Sequence, residues 1–128
     1  MEDFKKLHVW LKAHKLVLEV YKITKDFPKD ELYALVSQMR RAAISVAANI
    51  VEGSRRVTNK DRLHFYIMSQ ASLEELKYYF LLAYELRCIQ KQIGEGLTNA
   101  AREVGKMLNG LSNSVKKQWR LSLTTFHL

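Results

Sequence analysis

Apolar residues recur at three- and four-residue steps through most of the chain, and polar residues interrupt that rhythm at three places. Trp10, Ala13, Val17, Val20, Tyr21 and Thr24 fall on one face of an α-helix, with Lys12, Lys15, Glu19, Lys22 and Asp26 opposite. Leu7, Leu11 and Leu18 widen that stripe beyond what one neighbouring helix covers, which fits either a broad core-facing stripe or a subunit contact. The run Asp26-Phe27-Pro28-Lys29-Asp30-Glu31 is a break followed by a start. Proline disfavours helix in the residue before it and is welcome in a first turn, where acids are also stabilising. A second series follows: Leu32, Leu35, Val36, Met39, Ala42, Ala43, Val46 and Ile50. Thr58-Asn59-Lys60-Asp61 has the spacing of a capping box, and opens a third series of Phe65, Met68, Ser72, Leu76, Tyr79, Leu82, Ala83 and Leu86. Ile93, Leu97, Ala100, Val104, Met107, Leu108, Leu111 and Val115 make a fourth. The spacing predicts helices over about 7–25, 29–56, 59–86 and 91–117. The last of the breaks, near 87–90, has no strong turn residue, and the tail, about 119–128, has no clear period and is read as mobile or packed on a neighbour.

Short connections between long helices favour antiparallel neighbours, so the expected architecture is an all-α, up-down-up-down four-helix bundle. Glu19/Lys22, Glu52/Arg55, Glu74/Lys77 and Glu103/Lys106 are acid-then-base pairs at i,i+3 and support helix in all four segments. Five glycines and one proline leave little material for the many turns of an all-β fold. At 128 residues the chain is long enough to enclose one core, and 1–128 is read as a single domain.

Charge changes the picture. Twenty-one basic against 13 acidic residues leave a net charge of +8, which favours a polyanionic partner, RNA or an anionic surface, or else serves solubility alone. Cys88 is the only cysteine, so no disulfide can form within the chain and a reducing, cytoplasmic setting fits. The charged first residues are followed by no apolar signal-peptide core. The apolar stretches 42–51 and 78–84 are too short to span a bilayer, so no membrane association is expected.

Motifs for chemistry are missing. A di-iron bundle needs Glu-x-x-His on two helices, but Glu52 is followed at that step by Arg55, Glu75 by Tyr78 and Glu85 by Cys88. His8, His14, His64 and His127 have no ligand-like spacing, so no metal or other cofactor is expected. There is no Gly-x-Ser-x-Gly, no Walker loop, and nothing basic that clearly activates Cys88. The chain is read as a non-enzyme.

Two kinds of polar feature remain. Arg41, Ser45, Asn49, Glu52 and Arg56 advance by three or four residues along the second helix, beside the small residues Ala42, Ala43, Ala47 and Ala48. Ser69, Ser72 and Glu75 form a shorter row on the third. These rows fit a hydrogen-bonded network that specifies helix packing, for example Arg41 with Glu75 or Asn49 with Ser72. They also fit a ligand or RNA groove lined by Asn49, Glu52 and Arg56, although Glu52 would repel phosphate. Separately, Arg55, Arg56, Lys60 and Arg62 surround the second connection, and Lys116, Lys117 and Arg120 crowd the end of the fourth helix beside Trp119. An antiparallel bundle brings both basic clusters to one pole, with Trp119 available to stack on an unpaired base. The competing explanation is that cations simply suit helix C-termini.

Leu7-His-Val-Trp10-Leu-Lys-Ala13, Phe27-Pro28-x-x-Glu31, Gln38-x-Arg40-Arg41-Ala42, Ser45, Asn49-Ile50-x-Glu52-Gly53-x-x-Arg56 and Ser72-x-x-Glu75-Leu76 together resemble the 23S ribosomal RNA intervening-sequence protein family, from Phe4 to Lys117. Ser69 and Ala71 depart from the family pattern, which looks more like Ala and Gly there, and Arg87 stands where a turn glycine is expected. The resemblance implies a bacterial four-helix bundle without enzymatic activity, in some bacteria encoded within an insertion in the 23S rRNA gene. It implies a ring-like homo-oligomer, with pentamers the expected form. A related branch, the accessory proteins of diversity-generating retroelements, implies an alternative role as an interaction scaffold that binds a reverse transcriptase.

Overall fold

A computed structural model describes residues 7–126. Four helices run up, down, up and down: α1 (His8–Thr24), α2 (Ser37–Ser54), α3 (Asn59–Glu85) and α4 (Lys91–Phe126). Contacts join α1 to α2, α2 to α3, α3 to α4 and α4 back to α1, so α1 and α3 stand diagonally across the bundle. The core is a stack of mainly aliphatic residues with one large aromatic, Phe80: Val9, Leu16 and Val20 of α1, Met39, Val46 and Ile50 of α2, Leu73, Leu76 and Phe80 of α3, and Leu97, Val104 and Leu108 of α4. Every buried side-chain nitrogen or oxygen among the described residues has a hydrogen-bond partner.

Three differences from the periodicity have physical causes. The single helix expected over 29–56 begins instead as a 3-10 turn (Lys29–Glu31) and a π turn (Leu32–Val36) before α2 proper. Pro28 supplies no N–H, and the first closing bond runs from Glu31 N–H to Pro28 O at 3.0 Å, a three-residue step. On α3 the buried face is Leu63, Tyr66, Ser69, Leu73, Leu76, Phe80 and Ala83; it keeps Leu76 and Ala83 of the expected series, whereas Phe65, Ser72, Tyr79 and Leu82 are half-buried and Met68 and Leu86 exposed. Apolar residues surround most of this helix, including the exposed Ile67, Tyr78 and Leu81, so periodicity alone does not fix which arc faces the core. Finally, the expected irregular tail is helical: α4 continues unbroken to Phe126. Residues 111–126 contain neither Gly nor Pro, and helix propagates readily through such a stretch once a core-packed segment has nucleated it. Residues 127–128, including His127, lie outside the described residues.

The connections show why each turn occurs where it does. Thr58 caps α3, its Oγ1 accepting the Asp61 N–H at 3.1 Å, as the capping-box spacing predicts. The α3–α4 connection is a Schellman motif: Cys88 N–H donates to Ala83 O at 2.8 Å and Arg87 N–H to Tyr84 O at 2.9 Å. It requires a left-handed residue after the helix, and Arg87 takes it with φ 63°.

Candidate nucleic-acid interface

The polar stripe of α2 is an internal network in two pieces. Asn49 Nδ2 donates to Ser45 O at 2.9 Å and to Ser45 Oγ at 3.0 Å, and the Ser45 and Ser72 hydroxyls lie 2.8 Å apart across the α2–α3 contact. One turn further on, Arg56 forms an ion pair with Glu52 and lies over the Phe65 ring, 4.6 Å from its centroid. The expected partners change. Asn49 reaches Ser72 only through Ser45, and Glu75 meets Tyr79 rather than Arg41. The Tyr79 hydroxyl donates to Glu75 Oε1 at 2.7 Å. That bond to a carboxylate pushes the Tyr79 pKa up to about 12, helped by burial and by the Glu75 charge, with the Arg41 charge opposing. Ser69, a departure from the family pattern, is fully buried and donates to Val46 O at 2.7 Å, a second stitch between α2 and α3.

The basic residues near the α2–α3 connection do not all gather at one place. Arg62 closes the α2–α3 connection, donating to Arg56 O at 2.9 Å and to Asn59 Oδ1 at 3.3 Å. With Arg56 held by Glu52, these two guanidiniums fasten the turn. Arg55 is exposed beside them. Lys60 turns to the other side of α3, where it joins Lys116, Trp119 and Arg120 of α4 around a groove of about 520 Å³. The floor is apolar, from Leu63 and Ile67, with His64 between them. Lys117 is exposed on α4 but does not line this groove. Four of the eight basic and aromatic candidates therefore converge, and they come from both clusters. His64 and Ile67 were not among the candidates, although their steps from Lys60, four and then three residues along one helix face, would have found them.

Lysine and arginine rims over an apolar, aromatic floor can neutralise phosphates while a base stacks on the indole. Macrodipole compensation does not account for the arrangement. Its effect fades within a terminal turn, and Lys116 and Arg120 lie more than one turn before the end of α4 at Phe126. Lys60 sits in the first turn of α3, where a cation opposes the dipole.

Among the described residues no three His, Cys, Asp or Glu side chains group closely enough to hold a metal ion. Burial, and then the charges of Glu31 and Asp30, push the half-buried Cys88 thiol up, away from a reactive thiolate. No helix among the described residues is long and apolar enough to cross a membrane.

Similarity to known proteins agrees with this architecture. A crystal structure of a protein with unknown function from the S23 ribosomal protein family of Bacteroides thetaiotaomicron VPI-5482 superposes with a TM-score of 0.77. The two are 19% identical, over 82% of this chain and 95% of that one, so the likeness is one of fold. No curated protein matches the chain in sequence. The family model described as 23S rRNA-intervening sequence protein matches residues 5–110, which takes in the Ser45–Asn49–Ser72 network, Gly53 and the turn held by Arg62. The chain belongs to the 23S rRNA-intervening sequence protein family.

Proposed function

We propose that the protein is a non-catalytic, cytoplasmic homo-oligomer, a pentameric ring by the expectation for its family, that binds RNA through its basic pole. The observation that carries this reading is the convergence of Lys60 with Lys116, Trp119 and Arg120 on one apolar-floored groove. Helix dipoles do not explain these cations, nor does ion pairing among the described residues, and phosphate is a ligand they suit. Arg55 extends the same positive end. Trp119 adds an aromatic face that stacks on unpaired bases, which favours loops and bulges of a structured RNA over a plain duplex. The family's association with an insertion in 23S rRNA supports the choice of RNA.

Filter binding with structured 23S rRNA fragments across a salt series tests the reading. The expected result is retention at low salt and a linear fall of log K with log salt, with a slope of roughly −0.7 to −0.9 per phosphate neutralised. No retention at low salt would overturn it.

A further inference from the structure

Tyr21, Leu32, Val36 and Ile44 line a groove of about 550 Å³ between the end of α1 and the start of α2, and so does Tyr33, which is 91% exposed. The backbone that builds it is irregular. The π turn Leu32–Val36 buries Leu35 and Val36 and leaves Leu32 and Tyr33 outside, and such turns recur at functional sites. The groove lies at the pole where α1 ends and α2 begins. That pole is opposite the Lys60–Trp119 groove, so an occupant of one does not block the other.

Arg40 and Arg41 are the charged side chains lining this groove, and no acid joins them. Asp30 and Glu31, just before Leu32 in the chain, do not line it and bear instead on Cys88 in the α3–α4 connection. Arg40 is half-buried and fixed by neutral groups. Its Nε donates to Thr24 Oγ1 at 3.0 Å, its Nη2 to Tyr21 O at 3.5 Å, and the guanidinium lies over the Tyr21 ring, 4.5 Å from the centroid. The other terminal nitrogen, Nη1, has no acceptor among the described residues and is not buried. Arg41 is exposed and forms no ion pair among the described residues, and Glu75 is engaged by Tyr79 instead. A guanidinium already held in place, with no carboxylate on it, takes one at little further cost in ordering.

We propose that this groove docks an acidic segment of a partner protein, which sets an apolar side chain against Leu32, Val36 and Ile44 and its carboxylates on Arg40 and Arg41. A planar guanidinium matches a carboxylate in a two-bond fork, and the aliphatic surface beside it selects a peptide that is both acidic and apolar. RNA suits the groove less well. The Tyr21 ring that would stack on a base already carries the Arg40 guanidinium, and the floor is otherwise aliphatic. The proposal goes beyond the RNA reading and does not depend on it. With RNA at the other pole, the bundle acts as an adaptor between a nucleic acid and an acidic protein.

Selection from a random-peptide display library against the full chain tests the site, with the enriched peptides then synthesised and titrated by fluorescence anisotropy. These peptides are expected to carry Asp or Glu beside Leu, Phe or Tyr and to bind more weakly as salt rises. Arg41→Ser and Tyr33→Ser are each expected to lower their affinity about tenfold or more. Both positions are exposed, and circular dichroism establishes that each variant keeps its helices. No enrichment, enriched peptides without acids, or an affinity unchanged in either variant would overturn the proposal. Two other occupants would reveal themselves and overturn it as well. A fall in RNA affinity with Tyr33→Ser would assign the groove to RNA, and a smaller mass by light scattering for either variant would assign it to a second copy of the chain.

Discussion

Gly53 sits on α2 where any side chain would run into the Tyr66 ring of α3. Its place after Asn49 and Glu52 in the motif was legible; the reason was not, because the ring that excludes a side chain lies 13 residues away on another helix. Gly53→Ala is expected to lower stability by about 1–3 kcal/mol through overpacking, despite alanine's better helix propensity, and urea denaturation measures it. Arg87 presents the opposite case. The motif closing α3 asks for glycine, and arginine there bears a left-handed backbone costing roughly 1–2 kcal/mol. Arg87→Gly is expected to raise stability by about 0.5–1 kcal/mol, the gain reduced by glycine's greater freedom when unfolded. A drop in denaturation midpoint would contradict it. Here the resemblance pointed at the right residue, since a turn glycine was expected at this position.

Helix by helix, α3 decides most of what could and could not be read in advance. Its inner face carries Leu73, Leu76 and Phe80, and its outer face Ile67, Tyr78 and Leu81. A helix with apolar residues around most of its surface yields more than one periodic series, and only the neighbours it meets separate them. The end of α4 escaped for a related reason. Periodicity detects a buried face, and residues 116–124 are exposed, so they form helix without displaying one. The α2–α3 seam was legible as polar rows, but not in its pairing, since Tyr79 takes the acceptor assigned to Arg41. That pairing has a pH signature. The Tyr79 pKa is raised from 10.0 to about 12, so the stability from its bond to Glu75 is complete below pH 10 and is lost as pH rises through 12. Tyr79→Phe removes the bond. The parent's stability advantage over this variant is expected to be constant up to about pH 10 and to close by about pH 12; a gap persisting unchanged to pH 12 would contradict the assignment.

At the scale of the whole molecule, a net charge of +8 fits a polyanionic partner without saying where one would dock. The bundle brings the start of α3 beside the last third of α4 and gathers Lys60, Lys116 and Arg120 there, while Arg56 and Arg62 are drawn into fastening the turn. The central claim is that RNA contacts the groove of Lys60, Lys116, Trp119 and Arg120 rather than the cations as a whole. The most direct test compares the salt dependence of RNA binding for two triple variants that lose the same charge. One is Lys60→Ser/Lys116→Ser/Arg120→Ser at the groove; the other is Lys25→Ser/Lys29→Ser/Lys106→Ser, at exposed lysines that do not line it. The groove variant is expected to flatten the slope of log K against log salt by about 2 or more, and the distant variant to leave it near that of the parent. Equal slopes for the two variants would contradict the account.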